Sequence, residues 1–199
     1  MALYFVRHGQ TDWNLQRRFQ SRSDIPLNAT GISQAKRIQK EFHKRNLNFQ
    51  AVHSSPLGRA FETAKIIVAG SGLSIQLEPT FVELDLGAYE GRFEDDLAQE
   101  HGEQYGAWQS SEFTLSAPGG ETIFEAVERI HDALFNLRQP AIDGDILVVA
   151  HQAVFMAMKL AIGDREDLES FEHVYELSKV LMAWYMLLNN IRKQLIWIL

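Results

Sequence analysis

"ALYFVRHGQ" occupies residues 2–10 and "DILVVAHQ" occupies residues 145–152. Each is a short run of apolar, mostly β-branched or aromatic side chains that stops on a histidine, His8 in the first and His151 in the second. Runs of this length and type read as strands buried on both faces, the form that parallel sheets take. In open α/β sheets, ligands gather outside the carboxyl ends of the strands. The two runs therefore predict two imidazoles at one edge of one sheet, with Arg7 beside the first.

The intervening pattern supplies the rest of that sheet. Residues 31–43, "GISQAKRIQKEFH", set Ile32, Ala35, Ile38 and Phe42 along one helical face, with Thr30 as N-cap. In "AVHSSPLGRAFETAKIIVAG", residues 51–53 read as a strand end, Ser55 as N-cap and Pro56 as the first helical residue; Gly70 and Gly72 close the helix. A short strand is expected at 75–77, a helix at 94–108, a loop at 109–118 and an amphipathic helix at 120–137. In that last helix Ile123, Val127, Ile130, Leu134 and Leu137 point inward. "QAVFMAMKLAIG" is apolar nearly all round and reads as a buried helix. Residues 181–187 and 195–199 read as strands joined by the turn "NNIRK". Strands alternating with helices predict an α/β fold: a three-layer α/β/α sandwich whose mostly parallel central sheet carries an antiparallel edge strand. No repeat or linker divides the chain, so residues 1–199 are expected to form one domain.

The totals narrow the function. A net charge of −7 offers no basic field for nucleic acid or an anionic membrane, so any bound anion must be held by a local cluster of cations. The absence of cysteine removes disulfides, thiol catalysis and Cys-ligated zinc. The apolar run at the N-terminus is too short for a signal-peptide core, and "VLMAWYMLL" is too short for a membrane span. The expectation is a cytoplasmic protein.

Three runs end in polar chemistry at one sheet edge: Arg7-His8-Gly9, Ser54-Ser55 and His151-Gln152. Arg59 falls in the first turn of the helix after the second run, where a cation opposes the helix dipole. An anion between them resolves the conflict, since helix N-termini and arginine forks both bind phosphate. Taken alone, a strand-end histidine is more often a packed ring, and Arg59 more often a surface residue. Arg7 is harder to explain that way, because so apolar a strand has no cheap place for a guanidinium. A proton donor could come from Glu83, Asp85 or Glu90 in "FVELDLGAYEGR", and spacing does not choose among them.

The whole chain resembles the histidine phosphatase superfamily, which includes the cofactor-dependent phosphoglycerate mutases. "VRHGQTDWN", "SDIPLNATGISQA", "HSSPLGRAFETA", "VELDLGAYEG", "PGGET" and "ILVVAHQAV" match its landmarks in order. The resemblance implies that His8 is a nucleophile transiently phosphorylated on its ring nitrogen. It also implies that Arg7, Arg59 and His151 surround the phosphoryl oxygens, with Asn14 as a further donor. Glu83 then protonates the leaving oxygen and activates water. These groups compensate charge without a metal or cofactor, and a neutral imidazole is a competent nucleophile near pH 7. Two departures fall at the pocket rim. Gln152 stands where the family commonly has glycine, and Gln20-Ser21 where it often has Gln-Gly; both are expected to add bulk at a substrate-binding position.

The mutases of this family usually carry adjacent arginines in an insertion that holds a second anionic group. Residues 93–128 here contain no Arg or Lys, and offer Phe93, Tyr105, Trp108 and Phe113 among acids. The expectation is a lid-like insertion around 91–119 and a phosphomonoester hydrolase acting on a small-molecule substrate. The alternatives are a mutase-like phosphotransferase and a module that binds phosphorylated partners. The apolar C-terminal strands could serve a homodimer contact. His53 is expected to pack under the site, and His43, His101, His131 and His173 to sit at the surface or on helix faces. No HExxH spacing marks a zinc site. Residues 17–22, "RRFQSR", read either as a solvated basic loop, the reading preferred here, or as an anion-steering rim.

Overall fold

The computed structural model describes residues 2–137, 144–162, 183–187 and 196–198. Strands β1 (Ala2–Arg7), β2 (Phe49–Ser54), β3 (Ile75–Leu77), β4 (Asp145–Ala150), β5 (Ala183–Leu187) and β6 (Ile196–Ile198) form one sheet, in the order β3-β2-β4-β1-β5-β6. The first four are mutually parallel. β5 runs antiparallel to β1, and β6 antiparallel to β5. The turn "NNIRK" and His173 lie outside the described residues.

Helices cover both faces of the sheet. Leu3, Phe5, Ile146, Val148 and Ala150 face α4 (Glu94–Ser110), α5 (Ile123–Leu137) and α6 (Gln152–Ile162). Tyr4, Val6, Leu147 and Val149 face α2 (Ala29–Lys44) and α3 (Gly58–Ile67). This is the period-two alternation of a strand buried on both sides, and it explains why the two histidine-ended runs contain no polar spacing. Among the described residues no helix is long and apolar enough to cross a membrane.

Several helix boundaries differ from the sequence expectation. Asn28, not Thr30, caps α2, its side chain accepting from the Gly31 N–H. Ile32 is exposed, while Gly31, Ala35, Ile38 and Phe42 are buried. α3 starts at Gly58 instead of Pro56, and Ser55 does not cap it. Asp24 does so from a distant loop, accepting from the Gly58 N–H at 2.7 Å. α4 runs on to Ser110, and α5 begins at Ile123, because Gly119 and Gly120 belong to the preceding turn.

The loop after β1 is held against α2 by two facing glycines. A Cβ on Gly9 would collide with the Gly31 carbonyl, and one on Gly31 with the Gln10 backbone. Gly31→Ala is therefore expected to destabilise the fold by about 1–3 kcal/mol, the usual cost of overpacking, measured as a lower denaturation midpoint. An unchanged midpoint would show that this approach is looser than described.

Candidate active site

The register of the sheet answers why two distant runs both end on histidine. Arg7 pairs with Ala150 across the parallel β1–β4 ladder, and the His8 N–H continues it to the Ala150 carbonyl at 3.0 Å. His8 and His151 are thus the next step on two neighbouring strands, and their ring centroids lie 5.2 Å apart. On the other side of β4, β2 ends at Ser54, and Ser55 donates from its N–H to the Val149 carbonyl at 3.0 Å. Three adjacent strand ends therefore deliver Ser55, His151 and His8 to one edge.

A cavity of about 800 Å³ opens there. Arg7, His8, Arg59, Glu83, Asn14, Gln20, Ser21 and Gln152 all line it. His151 is the exception among the predicted residues. It is fully buried beside His8 and does not reach the wall, although Gln152 and Ala153 do.

Arg59 is wholly buried and is no surface residue. Its two terminal nitrogens donate to the carbonyls of Ser23 (2.7 Å) and Ser21 (2.8 Å), and its Nε to His8 Nε2 at 3.3 Å. The Arg59 carbonyl accepts from Thr63, whose hydroxyl in turn accepts from the Gly9 N–H. The guanidinium is fixed from both ends.

His8 Nδ1 lies 2.8 Å from the Gly9 carbonyl. A carbonyl can only accept, so Nδ1 carries the proton and Nε2 keeps its lone pair. Burial first, then Arg7 and Arg59, push this imidazole well below its ordinary pKa, so it is neutral near pH 7. His151 is held low by burial, Arg59, His8 and Arg7. Its Nε2 meets the Ser55 hydroxyl at 2.8 Å, and its buried Nδ1 has no partner. A buried donor or acceptor without a partner is costly and is most often kept for a catalytic or structural reason.

Among the three candidate acids the structure separates Glu83 from the others. Burial pushes its carboxyl up, against the opposing pull of the Leu84 N–H, Arg59, Arg7 and the Ala153 N–H. Asp85 instead pairs with Arg22 at 3.1 Å, and Glu90 bonds Ser23. Asn14 accepts from the Thr11 N–H and hydroxyl through its Oδ1, which leaves its NH₂ as the group offered to the cavity.

Residues 17–22 are solvated only at their ends, Arg17 and Arg22, and turn inward between them. Gln20 and Ser21 are buried, and Phe19 packs edge-to-face on Trp108 with centroids 5.5 Å apart. Nor does Ser21 add bulk to the pocket. Its hydroxyl donates to the Leu84 carbonyl (3.0 Å) and accepts from the Leu86 N–H (2.9 Å). In the segment expected to act as a lid, Tyr105 and Trp108 are core residues that anchor α4 against Tyr89 and Phe113. His53 lies partly buried on β2, and His43, His101 and His131 are exposed.

Sequence reasoning missed Trp13, Gln10, Gln34, Phe19 and Gln109 on the cavity wall. Gln10 and Trp13 fall inside the quoted "VRHGQTDWN" motif, whereas nothing in the spacing of Phe19, Gln34 and Gln109 points to a site.

The profile of the histidine phosphatase superfamily (branch 1) matches residues 3–180. A relative from Escherichia fergusonii named "Probable phosphoglycerate mutase GpmB" is 36% identical over 151 residues, 76% of this chain and 69% of that protein. The alpha-ribazole phosphatase of Shigella flexneri superposes with a TM-score of 0.79 at 26% identity, covering 100% of this chain and 96% of that one. The phosphoserine phosphatase of Entamoeba histolytica, solved with 3-phosphoglyceric acid, gives a TM-score of 0.75 at 25% identity, covering 98% and 94%. The family profile spans most of the chain and the fold superposes on solved relatives: the chain belongs to branch 1 of the histidine phosphatase superfamily.

Proposed function

We propose that this protein hydrolyses a small phosphomonoester through a phosphohistidine on His8. The observation that carries the proposal is a neutral imidazole whose Nε2 lone pair faces a guanidinium-lined cavity, with a carboxyl biased toward protonation on the same wall.

Nε2 attacks phosphorus, and the phosphoryl group displaces the long Arg59 contact as the P–O bond to the leaving group breaks. Arg7 and Arg59 hold the phosphoryl oxygens, which supplies the charge compensation that this transfer needs, while His151 backs the His8 ring from behind the wall. Glu83 gives its proton to the leaving oxygen. Its carboxylate then takes a proton from water, which attacks phosphorus and breaks the P–Nε2 bond. Inorganic phosphate leaves and both groups are restored.

The outer cavity favours a substrate with one phosphate and a neutral body. Its walls are Trp13, Phe19, Leu84, Leu86, Trp108 and Phe113, interleaved with glutamine amides. The rim arginines are engaged. Arg17 pairs with Glu94 at 2.8 Å, and Arg18 lies 3.9 Å from the Trp13 ring centroid and donates to the Gly91 carbonyl. A volume of about 800 Å³ suits a metabolite.

The mutase reading is supported by the name of the 36%-identical relative. A panel of phosphorylated metabolites separates the two. Release of free phosphate, fastest for a monophosphate with a neutral body, supports hydrolysis. Interconversion of phosphoglycerates with 2,3-bisphosphoglycerate, without phosphate release, supports the mutase instead.

A further inference from the structure

Ser21 holds an unusual place. Its φ of 47° lies in the left-handed region, which glycine enters freely and serine only at a cost, and its side chain is almost completely buried. A strained, buried serine persists where its hydroxyl does something a glycine could not.

That hydroxyl makes two bonds to one loop, donating to the Leu84 carbonyl and accepting from the Leu86 N–H. Leu84 is also the residue whose N–H binds Glu83 Oε1 at 2.9 Å. Leu84 is therefore gripped by Ser21 at its carbonyl while its amide grips the Glu83 carboxyl. The Ser21 carbonyl, in turn, accepts from Arg59 at 2.8 Å. One residue ties the arginine beside His8 to the loop that carries the acid.

Other links run between the same loops, but they are weaker anchors. Arg22–Asp85 and Arg22–Glu121 are partly exposed ion pairs, screened by solvent and salt. The Ser21 bonds are buried, where a hydrogen bond is electrostatically stronger and its loss leaves two backbone groups unpaired.

We propose that Ser21 is a positioning residue, setting the Glu83 carboxyl relative to Arg59 and His8 through the Leu84 peptide. The inference rests on Glu83 acting as the proton donor proposed above. Displacing Glu83 by a fraction of an ångström slows phosphoenzyme hydrolysis alike for every ester, but it slows phosphorylation, the step that kcat/KM reports, only where the leaving oxygen needs its proton. An ester with a poor leaving group needs that proton, whereas p-nitrophenyl phosphate, whose leaving oxygen is already stable as an anion, needs it far less.

The test compares S21G and S21A with the parent enzyme on p-nitrophenyl phosphate and on glycerol phosphate. Both variants lose the hydroxyl, but glycine relieves the backbone and alanine does not, so their effects on stability should diverge. The expected result is a fall in kcat/KM at least about tenfold larger on the alkyl ester than on the aryl ester in both variants. Equal losses on the two esters, or a loss that tracks the melting temperature, would overturn the inference. E83Q run in parallel separates the two levels. If E83Q shows the leaving-group selectivity and the Ser21 variants do not, only the role of Ser21 fails. If E83Q shows none, the assignment of Glu83 fails and takes the Ser21 inference with it.

Discussion

His8→Ala should reduce kcat/KM for phosphate release by about four orders of magnitude or more, the scale on which loss of a covalent nucleophile acts. Among the described residues no other nucleophile stands ready at the cavity. The chain has no cysteine, the cavity serine is bonded on both sides, and His151 stands behind the wall. The expected origin of the loss is chemistry, not binding, because Arg7 and Arg59 keep their places. The Arg59 guanidinium is fixed by the Ser21 and Ser23 carbonyls, independently of His8. Inorganic phosphate should therefore still bind the variant, measured by calorimetry, while turnover disappears. Retained turnover in a folded H8A protein would remove His8 from the chemistry.

The second large effect concerns Glu83 and has a definite sign with pH. Its carboxyl is pushed up, chiefly by burial, so the proton that the leaving group needs persists above the ordinary carboxylate range. As pH rises through that raised value the acid is lost, and kcat/KM for an alkyl phosphate should fall. On the acid side, His8 is held well below its ordinary value, so its lone pair survives to lower pH than a free imidazole's would. The profile should therefore be widened on both limbs, relative to a free imidazole on the acid side and a free carboxyl on the alkaline side. E83Q cannot donate as an acid. It should lower the rate on alkyl esters by about 10²–10⁴-fold. Because the substrate phosphate titrates too, the informative quantity is the ratio of parent to variant at each pH. A ratio that decreases as pH rises, on alkyl esters more than on p-nitrophenyl phosphate, is the expected outcome. A flat ratio would remove Glu83 as the acid.

Much of this was legible in the residues because the sheet is buried on both faces. Such strands cannot hide polar groups, so Arg7, His8 and His151 stood out against continuous apolar runs, and the parallel register then set the two rings side by side. The choice of Glu83 over Asp85 and Glu90 came only from the family resemblance and not from spacing. It depends on which carboxyl turns inward toward Arg7 and Arg59 and which meet Arg22 and Ser23, and loop spacing carries no such information. The start of α3 was misread for a related reason. Ser55 and Pro56 form a convincing local cap, but Ser55 is committed to His151, and Asp24, 34 residues away, takes the Gly58 N–H. Ser21 looked like added bulk. Only the fold reveals that its hydroxyl turns away to the acid loop.

The central claim is that a phosphoryl group passes through the ring of His8. Rapid acid-free quenching of the enzyme during turnover, followed by peptide mapping under alkaline conditions that preserve phosphohistidine, tests it directly. The account predicts a phosphorylated peptide containing residues 2–10, modified at His8, formed before free phosphate and more abundant in E83Q with p-nitrophenyl phosphate, where water is no longer activated. Phosphate appearing with no phosphorylated enzyme at any time, in E83Q as well as in the parent, would contradict it.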